Sequence, residues 1–253
     1  MSTYNDNLTE LTADHNSQYL LSSHPHRVFE INDQSWFPAF LRLRVQSALT
    51  LAWINTFPIL QKASPSAAVA RVLQKVLNKR LKDYIYVDFA SGAGGPTPYI
   101  AKTLNHELRA QKNDKDEQGV EFVLSDISPH IPAWQAACKK SENLHYVPSR
   151  VDAAGVSSND ALLKDVAVSR DKKVMRLFSL AFHHFDDELA REILRNTIET
   201  SDGFCIFELQ QRTYPSLLTI LVLWPMLMLT TPFYYLHDPI HLFFTYLTPI
   251  VPF

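Results

Sequence analysis

The sequence predicts an α/β fold: a mostly parallel sheet with helices on both faces, preceded by helices and followed by an apolar helical segment. Three observations carry this. Between Tyr84 and Leu209, short β-rich runs alternate with helical stretches at least four times. The first run hands over to Gly92, Gly94 and Gly95, half of the six glycines in the chain. Polar residues then gather where the runs end, at Asp88 to Gly95, Asp126, Asp152 and Ser179 to His184, and parallel sheets hold ligands at the carboxyl ends of their strands.

In order, residues 1–35 read as a polar lead-in without the apolar stretch of a secretory signal. Residues 36–82 are expected to form two helices. Phe37, Leu41, Val45, Ala48, Leu49 and Ala52 recur at helical spacing before Pro58. Ser64 and Ser66 offer caps for the second helix, whose stripe is Val69, Val72, Leu73, Val76 and Leu77. Residues 83–212 form the core. Tyr84 to Asp88 is the first strand, and Pro96 and Pro98 suit the first turn of a helix running to about Leu108. Gln111 to Gln118 is a charged loop, and Glu121 to Leu124 a second strand. Ile131 to Lys140 is a helix, Leu144 to Val151 a third strand, and Lys173 to Leu180 a fourth. Asp186 and Asp187 open a helix through about Thr200, and Gly203 to Leu209 is a fifth strand.

Residues 213–253 differ from the rest. They contain no lysine or arginine, and Asp238 is the sole acid. Leu217 to Leu236 is uncharged over a length that spans a bilayer as a helix, with Pro225 and Pro232 inside it. Two readings stand: a membrane-embedded helix, with the N-terminal body left cytosolic because Arg212 is the last basic residue, or a buried hairpin or lid in a cytoplasmic protein.

The 24 basic and 26 acidic residues give a net charge of −2, which argues against a nucleic-acid partner. Cys138 and Cys205 are too few for a disulfide scaffold or cysteine zinc site, and both are expected to be inert. No metal site is expected.

The glycine run is Asp88-Phe89-Ala90-Ser91-Gly92-Ala93-Gly94-Gly95. Glycine supplies positive φ and lets a ligand approach the backbone. Dinucleotide sites want glycines at the first, third and sixth positions; Ala90, Gly92 and Gly95 match that loosely. An acid followed by small residues at alternate positions fits better: Asp88, Ala90, Gly92 and Gly94. This run resembles motif I of class I S-adenosylmethionine-dependent methyltransferases, with alanine for the first glycine. The fold then expected is Rossmann-like.

The resemblance extends along residues 84–212. It implies that Asp88, Ala90, Ser91, Gly92 and Gly94 line the cofactor, that Asp126 and the adjacent Ile127 hold the ribose, and that Asp152-Ala153 faces the adenine. Ser179 and the run Phe182-His183-His184-Phe185-Asp186-Asp187 are similar to the family's segment after the fourth strand. His183 or His184 is able to act as a general base, imidazole titrating near neutrality. Each residue also has a plainer reading: Asp126 or Asp152 as a cap for the next helix, His183 and His184 as a packing pair, Glu208 as a strand-end acceptor. The family's antiparallel sixth and seventh strands have no counterpart after Arg212.

The expected function is therefore S-adenosylmethionine-dependent methyl transfer to a small-molecule acceptor. The apolar segment suggests a lipid-like or membrane-resident acceptor. The alternatives are a non-catalytic, membrane-tethered relative and an NAD(P)-dependent oxidoreductase.

Overall fold

The structure, a computed structural model, describes residues 36–56, 62–111, 119–168, 171–208 and 214–246. Helices α1 (Ala39–Ile54) and α2 (Pro65–Leu77) lead into β1 (Tyr84–Phe89). There follow α3 (Thr97–Gln111), β2 (Phe122–Leu124), α4 (Ile131–Cys138), β3 (Leu144–Tyr146), α5 (Asn159–Leu163) and β4 (Lys173–Ser179). The chain continues through α6 (Asp187–Thr200), β5 (Gly203–Phe207), α7 (Tyr214–Tyr235) and α8 (Pro239–Tyr246). It divides into two units, residues 49–219 and residues 1–48 with 220–253.

Within the larger unit the strands form one parallel sheet in the order β3-β2-β1-β4-β5. The order reverses between β1 and β4, and that switch point is where a doubly wound sheet opens a crevice for ligands. β1 lies at the centre and is buried at every position. Its alternate side chains serve two cores. Tyr84 and Tyr86 pack with α2, α3 and Trp134; Ile85, Val87 and Phe89 pack with Leu162, Leu163 and Ile193. Helices therefore cover both faces, as the alternation predicts.

Local chemistry sets the ends of the elements. Ser64 caps α2, accepting the Ala67 amide at 3.3 Å, with Pro65 at its first position. The Pro96 carbonyl starts α3 by accepting the Tyr99 and Ile100 amides. Asp186 caps α6 through Leu189 N at 2.8 Å, with Asp187 and Glu188 in the first turn favoured by the helix dipole. β3 stops short of Val151 because Pro148 has no amide to donate.

One expectation is corrected in α2. Its buried face is Ser66, Val69, Ala70 and Leu73, whereas Val72 and Val76 are exposed. The packed stripe is rotated toward Ser66 and Ala70, small residues that also fit against the core. The loop expected at Gln111–Gln118 and the helix end at Pro58 lie, beyond Gln111 itself, outside the described residues.

Two buried polar side chains pin the larger unit. The Asn105 amide donates to Ala101 O and Val120 O and accepts from Val120 N, fixing the entry to β2. Arg176 of β4 is wholly buried on the opposite face. Its guanidinium donates to Thr197 Oγ1 (3.1 Å), Asn196 Oδ1 (3.0 Å), Thr200 Oγ1 and Ala153 O, and stacks over the Phe89 ring at 4.6 Å. These partners are all neutral, and burial pushes its pKa down to about 10.

In the smaller unit, Phe37, Leu41 and Val45 pack with Phe244. The Arg44 guanidinium forks the Asp238 carboxylate at 3.1 Å on both oxygens, and Asp238 caps α8 through His241 N. α7 is a continuous helix of 22 residues through Pro225 and Pro232. Among the described residues no helix is long and apolar enough to cross a membrane, so the spanning expectation for Leu217–Leu236 gains no support. The side chains of residues 214–220, on which that expectation partly rested, lie outside the described ones.

Truncating Arg176 strands four acceptors around a cavity. Arg176→Ala is expected to cost about 3–5 kcal/mol in urea denaturation. Arg176→Met, which fills the space without a charge, is expected to cost distinctly less; equal losses would show that the cation itself is needed.

Candidate active site

The turn after β1 is built from left-handed residues. Ala90 (φ 55°), Gly92 (52°), Gly94 (113°) and Gly95 (49°) all have positive φ. Gly94 holds a conformation closed to other residues, and Gly92 has nothing within 4 Å of where a Cβ would stand. The turn therefore presents bare backbone to open space.

Strand pairing continues past the ends of β1 and β2 and fixes this turn. Ser125 N and Oγ both donate to Asp88 O at 2.9 Å, and Ser91 N and Oγ donate to Ser125 O. Asp126 then closes the arrangement: Oδ2 accepts Gly92 N and Oδ1 accepts Ser128 N, each at 2.8 Å. From beneath, Trp134 Nε1 donates to Gly92 O at 2.9 Å. Burial raises the Asp126 pKa, opposed by the Ser128 and Gly92 amides. The Ile127 amide acts on the same carboxylate, whose two oxygens still keep acceptor capacity beyond these amides.

Asp88 is fully buried beside the turn. Its Oδ2 accepts the Thr97 hydroxyl at 2.6 Å. Burial pushes its pKa up to about 7; the Thr97 bond opposes the rise and the Asp126 charge adds to it. The Ser179 hydroxyl lies near enough to favour the Asp88 anion, yet neither it nor Asp88 Oδ1 completes a hydrogen bond of good geometry. Two buried polar atoms at the switch point are thus left with capacity for a polar ligand, and a carboxyl poised near neutrality suits a cationic one.

Asp152 follows Val151, whose amide donates to Asp126 O at 2.9 Å, so the second and third strand tips are tied together. Asp152 is exposed and turns its chain locally through Ala154 N. Ala153 packs against the core, its carbonyl taken by Arg176, and Ile127 is half-buried. Neither acid caps the next helix. His130 Nδ1 accepts Ala133 N at the start of α4, and Ser158 Oγ accepts Ala161 N at the start of α5.

After β4 the chain turns at Leu180, again left-handed (φ 57°), its amide donating to Phe207 O. A 3-10 turn over Phe182–His184 follows. His183 Nδ1 lies 2.8 Å from Glu208 Oε2, while Glu208 Oε1 accepts Phe182 N at 3.0 Å. The His183 and His184 rings are 4.1 Å apart. Glu208 is thus a strand-end acceptor, as its position suggests, and a histidine partner as well.

Sequence reasoning missed Thr97 and Trp134. Thr97 reads as an ordinary first-turn residue, and Trp134 as core in an apolar helix. A cavity of about 480 Å³ lies elsewhere, at the amino ends of β1 and β4 beside Ile85, Val174, Asn159 and Lys172. Parallel sheets place chemistry at the other end. Among the described residues no cluster of three metal-binding side chains occurs. Cys138 and Cys205 are half-buried free thiols, and burial pushes the Cys205 pKa up to about 11.

No family model matches the chain. A stretch of 87 residues, 34% of the chain, is 28% identical to ribosomal RNA small subunit methyltransferase H of Streptococcus equi subsp. equi (strain 4047). The match takes in 27% of that protein's length. The similarity and the parallel α/β sheet fit an S-adenosylmethionine-dependent methyltransferase.

Asp88 has a folded pKa of about 7 against 3.8 as its ordinary value. Its neutral form favours the fold, so stability is full below about pH 4 and lost as pH rises through about 7. The melting temperature is expected to fall between about pH 4 and 7, and Asp88→Asn to flatten that fall. Parallel pH profiles for both proteins would refute the assignment.

Proposed function

We propose that residues 83–212 bind S-adenosylmethionine and transfer its methyl group to a small-molecule acceptor. The observation that carries this reading is the open turn at Gly92, bordered by Asp126 and by the buried Asp88–Ser179 pair. The donor supplies a methyl on a sulfonium, which needs orientation more than activation. Asp126, with Ile127 beside it, would hold the ribose hydroxyls, and Asp152-Ala153 the adenine edge. Ala90, Ser91, Gly92 and Gly94 would lie against the remainder, with Asp88 supplying negative charge behind the turn. The His183–Glu208 pair stands on the next loop of the same strand ends, where an acceptor proton would be removed.

Calorimetry with S-adenosylhomocysteine and with NAD tests this against the oxidoreductase reading. S-adenosylhomocysteine is expected to bind and NAD not. Gly92→Asp, which sets a second carboxylate in the open space next to Asp126, is expected to weaken binding at least ~10-fold with helical content unchanged. NAD binding alone would reject the proposal. Binding without turnover on any acceptor would favour a non-catalytic relative.

The smaller unit is proposed to associate with a membrane, leaving the catalytic body cytosolic. In support, residues 213–253 contain no lysine or arginine, and Leu221, Leu229, Phe233, Leu236 and Phe243 are exposed, Phe233 to 86%. An uncharged surface of this kind is unusual on a solvated protein. A membrane-resident or lipid-like acceptor follows from that association. The protein is expected to float with phosphatidylcholine vesicles, and the double variant Leu229→Asp, Phe233→Asp to remain with the soluble fraction; flotation unaffected by both aspartates would discard the idea.

A further inference from the structure

We infer that Glu208 is the positioning residue for His183 as general base, and that the acceptor group is an acidic hydroxyl, a phenol or enol. The inference rests on the methyltransferase reading above. It stands on how one carboxylate is used twice. Glu208 Oε1 accepts the Phe182 amide and Oε2 faces His183 Nδ1 at 2.8 Å. The same side chain therefore fixes the backbone that carries the histidine and the rotation of its ring.

The frame beneath is packed and paired. Phe182 meets Phe178 of β4 edge-on at 4.9 Å and Phe185 at 5.5 Å. The Leu180 amide is bonded to Phe207 O, one residue before Glu208. Strands β4 and β5 are paired up to Ser179 and Phe207, so both partners leave adjacent strand tips. The His183 side chain is 36% exposed and that of Glu208 27%, so the pair reaches solvent and adds little to stability. Both side chains stand just past the carboxyl ends of paired parallel strands, where such sheets place their chemistry.

A carboxylate on Nδ1 keeps the neutral ring's proton there and leaves Nε2 as the acceptor. A neutral amine attacks a methyl group before it sheds a proton and gains little from such a base. A hydroxyl does gain. Its oxygen bonds to the methyl carbon as the carbon–sulfur bond breaks with its electron pair going to sulfur, and the hydroxyl proton passes to His183 Nε2. Imidazole is well matched to the proton of a phenol or enol and poorly to that of an alkanol or simple carbon acid.

The test uses the full chain and Glu208→Gln. The amide keeps the shape; its oxygen takes Phe182 N, so its NH2 faces Nδ1 and favours the opposite tautomer. Nitrogen-15 NMR of neutral His183 is expected to show the proton on Nδ1 in the wild type and on Nε2 in the variant. S-adenosylhomocysteine affinity should stay within about twofold. With methyl-labelled donor, 4-octylphenol is expected to be methylated, and its kcat to fall about 100-fold in Glu208→Gln with KM little changed. Methylation of 4-octylaniline should change less than about threefold. Glu208→Asp is expected to restore part of the phenol rate. Absence of transfer to the phenol, equal losses on both acceptors, or one tautomer in both proteins would each overturn the inference. Failure of the wild type to bind S-adenosylhomocysteine would instead overturn the methyltransferase reading.

Discussion

The hydrogen bond from the Gly92 amide to Asp126 is the interaction on which the site depends. A run of left-handed residues after a strand has little reason to hold one shape, because glycine is permissive in all directions. Here the shape is imposed from the neighbouring strand. Ser125 and Ser91 carry the pairing of β1 and β2 beyond the strand ends, and Asp126 and Trp134 take the amide and the carbonyl of one glycine. The left-handed residues, which otherwise cost roughly 1–2 kcal/mol each for a non-glycine, are stable because the surrounding bonds allow no alternative.

The two faces of the sheet treat buried charge differently. Asp88 and Arg176 point to opposite sides and have no ionic partner between them. Arg176 is surrounded by neutral acceptors on four sides, which satisfy nearly all its donors and hold α6 and the Ala153 loop to β4. Asp88 has one firm partner, Thr97, and an oxygen without any. Arg176 retains one buried donor without a partner, Nε, whereas the orphaned Asp88 Oδ1 and Ser179 Oγ stand together at the carboxyl ends of adjacent strands, where parallel sheets hold ligands. The carboxyl end of β1 is therefore where the protein keeps polar capacity in reserve.

Much of this was legible in the sequence because strand and helix periods differ and because glycines, prolines and caps punctuate the chain. The five strands, the cap at Asp186 and the order of polar stations follow from Tyr84 onward by such rules. What was not legible depends on packing. The α2 face buries the small Ala70 and Ser66 and leaves the larger Val72 and Val76 exposed, which a count of apolar residues does not show. The five-residue α5 is too short to show a period. The caps at His130 and Ser158 displaced the plainer reading of Asp126 and Asp152, a choice that only the folded positions of the amides decide. Glu208 was visible as a strand-end acid, but its tie to His183 joins residues 25 apart through the register of two strands.

Ala90 and Leu180 have a joint consequence. Both are non-glycine residues in left-handed conformation, and they stand at the first turns out of β1 and β4, either side of the crevice. A side chain with a Cβ has far fewer backbone states there than glycine would. Both rims are consequently stiff before anything enters, and most of the entropy of ordering them is lost during folding. A guest meets a preorganised mouth, and its recognition is governed by shape and charge already in place, with little rearrangement of the rim on arrival.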